Sequence, residues 1–254
     1  MIIYERDHDW VMIPQHHHGL LSGEIAQHWN SAYIKGTDRW NEVIFAIAQH
    51  DCAWIALDET PLWNDGTKKP YSFIEFPLLP KLTFYKKGID KIEKQSPYAG
   101  LLCSLHYHSF LVGSKKLAAI EFSKQEKARQ YRLMEQLNLF EAHKEDLLNF
   151  HFLMVQFCDD LSLYLCMQDP GTPKKDEIPW FKNGFREIFP FTDGQKIIAE
   201  WLDSKQVSIR PFPLASPAVV SIKVKEVKKT NICQCGIAKA YRDTEWKERT
   251  VTLK

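Results

Sequence analysis

The chain has 254 residues, of which 44% are hydrophobic and 26% charged, the composition of an ordinary globular protein with a substantial core. Its 33 Lys and Arg residues balance 32 Asp and Glu residues, so bulk charge gives no support for a nucleic-acid partner or an acidic membrane surface. No apolar segment reaches the roughly 18 residues of a membrane span, and the N-terminus lacks the basic start and apolar core of a signal peptide. We therefore expect a soluble cytoplasmic protein.

Apolar periodicity predicts helices over most of the first two thirds of the chain. The predicted helices cover residues 15–30, Trp40 to Trp54, Ser96 to about Gly113, Ser123 to about Ala142, and His143 to about Met167. Residues 58–95 contain four prolines and two glycines, which predict a long irregular excursion of the kind that is often functional. The segment QDPGTPKKDEIP then ends helical structure.

After about residue 170, the predicted elements change from long helices to short strands. Residues 184–201 predict a short helical element, whereas VSIRPFPL, AVVSIKVKEV and ERTVTL predict strands. The expected fold is mainly α, with about 6–8 helices and a small C-terminal antiparallel β appendage. We expect two regions, a helical body at 1–170 and a region at 171–254 that packs on it.

Five metal-type side chains interrupt the apolar helices. They are His18, His50, Asp51, His106 and Asp159. Helical spacing puts Asp159 on one stripe with Val155 and Leu163, and His106 on one stripe with Leu102, so both polar groups face the expected core. Neutral imidazoles and carboxylates suit Fe, Mn, Zn, Co or Ni, and a divalent cation allows such carboxylates to be buried. The pattern predicts a site for one or two transition-metal ions.

Each of these residues also has an ordinary structural interpretation. His50 and Asp51 could form a helix C-terminus with a dipole-favoured histidine, and His106 could be a satisfied core residue. The combination with Asp159 in an apolar stripe favours a site, because clustered ionisable groups in an interior are functional candidates. Lysine pairs usually belong to a solvated surface, but two pairs in the excursion could roof a pocket and contact phosphate. These are Lys68, Lys69, Lys86 and Lys87.

The order of these residues resembles the H…HD…D pattern of the HD superfamily of metal-dependent phosphohydrolases. The matching residues are His18, His50-Asp51 and Asp159, the last within Cys158-Asp159-Asp160-Leu161-Ser162. The chain is still more similar to a bacterial family of unknown function, within or near that superfamily. The segments that carry this similarity are QHHHGLLSGEIAQHW, QHDCAW, SPYAGLLCSLHYHSF and DDLSLYLC. The resemblance implies an HD-like helical bundle for residues 1–170.

The resemblance also implies a function, the hydrolysis of a phosphomonoester, nucleotide or phosphodiester by a metal-activated water. Asp51 would bridge metal and water, and His106 would steady the phosphate or a second ion. The general acid that many HD nucleotidases have shortly after the HD pair is absent, which leaves Asp58 or Glu59 as a candidate if the chain turns back to the pocket. The histidine for a second ion stays open among His108, His143 and His151.

Two other functions remain possible at this stage. Some HD proteins resemble di-iron oxygenases, in which six ligands hold two irons. A non-catalytic, metal-stabilised module that senses a small ligand is the third interpretation, since a saturated metal site has no open position for substrate. The expected partner is a small phosphorylated molecule or another small anion. A homodimer is expected only because dimers are the commonest oligomers of soluble proteins.

Overall fold

A computed structural model of the protein describes residues 1–254 and shows helices packed against a curled, six-stranded mixed sheet. The helices are α1 (Gln15–Gln27), α2 (Trp40–Gln49), α3 (Ile55–Asp58), α4 (Leu78–Glu93), α5 (Pro97–Ser109), α6 (Leu117–Gln136), α7 (Ala142–Cys166), α8 (Lys229–Cys235) and α9 (Ile237–Asp243). The strands are β1 (Ile2–Glu5), β2 (Asp9–Ile13), β3 (Trp63–Asn64), β4 (Lys69–Pro70), β5 (Ile198–Asp203), β6 (Gln206–Arg210), β7 (Ala218–Lys228) and β8 (Lys247–Leu253). No helix combines the length and the apolar character that crossing a membrane requires.

The predicted fold class, mainly α with a small C-terminal antiparallel appendage, is wrong. The chain is 51% helical and 17% strand, and its large sheet makes it an α/β fold. The strand order is β1-β2-β7-β8-β6-β5, so the first two strands of the chain extend the sheet built by the last ones. Strands β6 and β8 run parallel, whereas the other neighbours in the sheet are antiparallel. The division into regions 1–170 and 171–254 stays a prediction.

The long apolar helices are confirmed. α1, α5 and α7 lie within about four residues of their predicted bounds. The Oγ of Ser96 accepts a hydrogen bond from the Ala99 amide at 3.1 Å, and Pro97 follows as the first helical residue. α2 ends at Gln49, and the chain continues through His50 and Asp51 into a 3-10 turn at Cys52–Trp54. The strands predicted near the C-terminus are also present, as β6, β7 and β8.

Two local predictions are wrong. Residues 58–95 are not irregular throughout, because α4 covers Leu78–Glu93. Pro77 is its N-cap and Pro80 lies in its first turn, where backbone amides have no helical acceptor, so neither proline disturbs the helix. Residues 184–201 contain no α-helix; they form a 3-10 turn at Pro190–Thr192 and the start of β5.

The main core lies between the helices and the sheet. It contains 52 buried apolar residues, and α7 contributes many of its largest side chains. A smaller cluster of eight residues joins α8 and α9 to β2 and the end of β7. Because α1, α2, α5 and α7 contact one another inside the main core, polar side chains on their inner faces are brought together away from solvent.

Candidate metal centre

The five predicted ligands meet in the interior. His18 comes from α1, His50 and Asp51 from the end of α2, His106 from α5 and Asp159 from α7. Each of them is at most 4% exposed. They form two overlapping groups with metal-ligand geometry, one of His18, His50 and Asp51 and one of His50, His106 and Asp159. These groups could hold a metal ion.

A close approach of α1 to α2 positions two of the ligands. A Cβ atom added to Gly23 would lie 2.5 Å from the Cβ of Ala48, so only glycine allows the two helices to pack at this distance. His18 precedes Gly23 by just over one turn, and His50 follows Ala48 directly after the end of α2. The small residues at this crossing therefore bring the two imidazoles together, edge to face, with ring centroids 5.0 Å apart.

The separations between ligand atoms fit a single ion at the centre. His18 Nε2 lies 3.3 Å from Asp51 Oδ2 and 3.2 Å from Asp159 Oδ1. His50 Nε2 lies 3.3 Å from Asp159 Oδ1 and 3.2 Å from His18 Nε2. Ligand atoms about 2.1 Å from a transition metal are about 3.0–3.4 Å apart in octahedral or tetrahedral geometry. The cluster therefore has the dimensions of a coordination sphere.

Hydrogen bonds outside the cluster orient the two histidines. His50 Nδ1 donates to the carbonyl of Ile47 at 2.6 Å, and since a carbonyl only accepts, the neutral form of this ring has its lone pair on Nε2. Ser162 Oγ donates to the Asp159 carbonyl at 2.9 Å and accepts from His18 Nδ1. Both Nε2 lone pairs thus point into the cluster, as in most protein metal sites.

The Asp51 carboxylate is held in the same way. Its Oδ2 accepts from Gln15 Nε2 at 3.0 Å, and its Oδ1 accepts from the Tyr107 hydroxyl at 3.2 Å. Both partners are neutral donors, so they orient the carboxylate without neutralising it. The charge of Asp51 remains available to a cation.

The electrostatics of the metal-free cluster depend on burial and on the two carboxylates. Burial lowers the pKa of His50, but Asp51 and Asp159 outweigh it and raise this pKa to about 9. Burial raises the pKa of Asp159, yet hydrogen bonds from His18 and His50 hold it well below its usual range. Protons on the histidines therefore take the position that a cation would occupy, and a metal ion would displace them.

His106 distinguishes this cluster from a set of buried ion pairs. Its burial lowers its pKa to about 4, so the ring is neutral. Neither ring nitrogen has a hydrogen-bond partner, although Nε2 lies 3.5 Å from Asp159 Oδ2. A buried polar group without a hydrogen bond destabilises the folded state by about 1–3 kcal/mol. Ion pairs among the other four residues leave His106 without a partner, so they do not remove this cost. The donor set thus fits a metal or a ligand that His106 contacts.

A cavity of about 660 Å³ opens directly beside the cluster. Asp51, His106 and Asp159 form part of its wall. Its three basic residues, which the sequence analysis missed, are Lys81, Arg186 and Lys196. Arg186 and Lys196 belong to a region of low periodicity far along the chain from the ligands, so no local sequence signal connects them to the site.

The other predicted site residues lie outside this cavity. Asp58 is buried, pairs with the amino group of Met1 at 2.7 Å and accepts from the Gln15 amide at 2.7 Å, so it reaches Asp51 only through Gln15. The four predicted lysines have other surroundings. Lys69 pairs with Glu5, Lys86 pairs with Asp90, Lys87 lies over the ring of Phe84, and Lys68 lines a separate groove.

None of the three histidines left open for a second ion joins the cluster. His151 is buried, but Tyr98 and the Lys35 carbonyl satisfy both of its ring nitrogens. His143 is exposed and lies near Glu141. His108 is only partly buried and is absent from the lining of the cavity. The arrangement therefore brings together five candidate ligands.

Comparison with known proteins assigns the chain to a family but to no activity. A family described as protein of unknown function (DUF3891) matches residues 1–229, so the chain belongs to this family. No curated protein and no solved structure matches the chain. The comparisons give no link to the HD superfamily.

Proposed function

We propose that this protein is a metal-dependent phosphohydrolase that uses His18, His50, Asp51 and Asp159 as ligands of one divalent transition-metal ion. The observation that carries the proposal is the unpartnered, neutral His106 between the ligand cluster and a cavity large enough for a small molecule. We further propose that the order of the ligands corresponds to the H…HD…D arrangement of the HD superfamily. A small phosphorylated molecule is the proposed substrate class.

A divalent ion in this position would polarise a phosphate oxygen and lower the pKa of a bound water. The residues of the chain have complementary tasks. Asp51, oriented by Gln15 and Tyr107, would accept the proton of the attacking water at a carboxylate oxygen. His106 Nε2, which has no partner in the chain, would contact a phosphate oxygen.

The basic residues of the cavity support an anionic substrate. Arg186 contacts Asp160 at 3.3 Å and Glu187 at 2.7 Å, and these carboxylates hold its guanidinium at the cavity wall. Lys81 donates to the Phe73 carbonyl at 2.7 Å, which fixes its ammonium at another point of the wall. Fixed cations stabilise the charge that develops during phosphoryl transfer.

The test is elemental analysis of untagged, natively purified protein, combined with a panel of phosphoesters. We expect about one equivalent of metal in the wild type and loss of metal in Asp51→Ala and Asp159→Ala. Hydrolysis should fall by roughly 100-fold or more in both variants, because even partners of metal ligands contribute about 10–100-fold. Asp160→Asn is the matched control, since Asp160 neighbours Asp159 but belongs to neither ligand group; it should keep its metal.

Two outcomes would overturn the proposal. A wild-type protein that binds no metal even after reconstitution would make the cluster a set of buried ion pairs. Two equivalents of iron with oxygen-dependent turnover would instead favour the oxygenase interpretation, which no further histidine in the cluster supports. Unchanged metal and turnover in Asp51→Ala would exclude the role given to that carboxylate.

A further inference from the structure

We propose, building on the proposed phosphohydrolase function, that the substrate is a phosphate monoester of an apolar alcohol. Its phosphate would lie against the metal cluster and its hydrocarbon or aryl body in the apolar part of the 660 Å³ cavity. Ten of the 19 residues that line the cavity are hydrophobic. The apolar wall consists of Trp54, Phe73, Ile74, Leu78, Tyr85, Phe110, Leu111, Leu163, Trp180 and Phe181.

The apolar wall begins immediately beside the ligands. Phe110 directly follows α5, and the centroid of its ring lies 4.6 Å from that of the His106 ring, edge to face. On another side, Phe73 and Trp180 meet edge to face at 6.4 Å, although they come from segments more than 100 residues apart. A phosphate bound at His106 would therefore direct the rest of its ester between aromatic side chains.

Three large apolar side chains of the wall are exposed. Ile74 is 51% exposed, Phe110 48% and Trp180 53%. Single exposed apolar residues are ordinary, but their convergence on one concave surface marks a binding groove. They come from three separate segments, so no single local irregularity explains them. An apolar ligand body would cover all three and gain their burial.

The loop that carries Trp180 and Arg186 is held against the sheet. Gly184, at φ +84°, lies so close to the chain that an added Cβ would be 2.9 Å from the Ile197 carbonyl. The Phe185 amide donates to the same carbonyl at 2.8 Å. The wall is therefore largely preformed, as small-molecule sites usually are.

The charge of the cavity suits one phosphate group. Its lining contains three aspartates and three basic side chains, whose formal charges balance. A divalent ion would leave a charge of about +2, which matches the ≈ −1.5 to −2 of a phosphomonoester at neutral pH. A nucleoside di- or triphosphate would bring more negative charge than these groups balance.

The hydrogen-bonding groups of the cavity disfavour a nucleobase. Gln15 is the only carboxamide side chain in the lining; its Nε2 already donates to Asp51, so its Oε1 is the one carboxamide atom without a partner. No serine, threonine or asparagine side chain lines the cavity. A site that recognises the polar edge of a nucleobase must offer it both free donors and free acceptors. Without them, the buried polar groups of the base would stay unpaired.

The experiment uses the metal-loaded full-length protein with two sets of probes. Methyl-, butyl- and octylphosphonate, which are not hydrolysed, measure binding by calorimetry. The corresponding alkyl phosphates, glycerol phosphate and AMP measure hydrolysis. We expect affinity to rise with chain length by up to about fourfold per buried methylene, and kcat/KM to rank octyl phosphate above glycerol phosphate and AMP.

Two variants test the apolar wall. Trp180→Ala and Phe110→Ala should weaken octylphosphonate at least tenfold while leaving methylphosphonate nearly unchanged. Trp246→Ala is the matched control, because Trp246 is 46% exposed but lines a different cavity.

The outcomes separate the two proposals. Efficient hydrolysis of glycerol phosphate or AMP, with no dependence of phosphonate affinity on chain length, would overturn the apolar substrate and keep the phosphohydrolase. Chain-length-dependent binding with no hydrolysis of any ester would keep the apolar binding site and overturn the phosphohydrolase. Equal loss of methyl- and octylphosphonate binding in Trp180→Ala would show that this residue acts on the polar end instead.

Discussion

His106 and His151 are both buried, but their hydrogen bonds differ. The Tyr98 hydroxyl donates to His151 Nδ1 at 2.7 Å, and His151 Nε2 donates to the Lys35 carbonyl at 2.8 Å. His106 has no such partner on either nitrogen. The contrast identifies His151 as a structural histidine and leaves His106 available to a ligand, a distinction that rests on hydrogen bonds and not on burial.

The structural role of His151 can be tested by Tyr98→Phe. This change leaves a buried ring nitrogen without its donor, which should lower the free energy of unfolding by about 1–3 kcal/mol. Urea denaturation measures the loss, and elemental analysis should find unchanged metal. Tyr131→Phe is the control, because Tyr131 is 62% exposed. Loss of metal in Tyr98→Phe would instead link His151 to the metal centre.

The sequence alone could supply all five residues of the candidate metal centre but not their surroundings. Each ligand interrupts an apolar helix, and helical spacing was enough to predict that Asp159 and His106 face the core. The partners that orient the ligands, such as Gln15 and Ser162, are neutral side chains that occur everywhere in a sequence. The role of these partners is visible only in the folded structure, where the four helices pack together.

The crossing of α1 and α2 controls the separation of His18 and His50. Gly23 allows this crossing because any Cβ there would come within 3.0 Å of the Ala48 Cα and 2.5 Å of its Cβ. A shift of one helix by a fraction of an ångström would move one imidazole relative to the other. The geometry of the candidate metal centre therefore depends on a contact that involves none of its five residues.

We expect Gly23→Ala to destabilise the protein by about 1–3 kcal/mol, the usual effect of overpacking, and to weaken metal binding. Gly23→Ala with Ala48→Gly removes the clashing Cβ and should restore part of both losses. Thermal unfolding and metal titration measure the two effects. If the double variant is no better than the single one, the close approach is not what holds the two helices.

The wrong element predictions have separate physical causes. The prolines near residue 80 suggested an irregular segment, but proline is compatible with the first turn of a helix. β1 has three apolar residues in succession and β2 is buried along its whole length, so neither shows the alternation of apolar and polar residues that identifies a half-buried strand. β2 pairs with β7, which lies more than 200 residues away and places Lys225 opposite Met12. No local sequence pattern predicts a contact over such a separation.

The sheet joins the beginning and the end of the described chain, and a charge network reinforces this junction. Glu226 on β7 accepts from Arg6, between β1 and β2, at 2.8 Å and from Arg249 on β8 at 3.0 Å. Lys247 contacts its other oxygen. Burial raises the pKa of Glu226, but these three cations outweigh it and lower the pKa to about 2.

A lowered pKa means that the charged form of Glu226 stabilises the folded state. This stabilisation is fully present above the unfolded pKa near 4.5 and is lost as pH falls through about 2. Glu226→Gln should therefore lower the free energy of unfolding by about 1–2 kcal/mol at pH 7, a value reduced for solvent screening. The difference from wild type should shrink steadily between pH 4.5 and pH 2.

Urea denaturation of both proteins across this pH range measures the difference directly. Glu248→Gln is the control, because Glu248 lies on the neighbouring strand β8 but is exposed, and its carboxylate accepts a hydrogen bond only from Ser221. It should change stability little at any pH. A constant difference between wild type and Glu226→Gln from pH 7 to pH 2 would show that shape and not charge joins the terminal strands to the rest of the sheet.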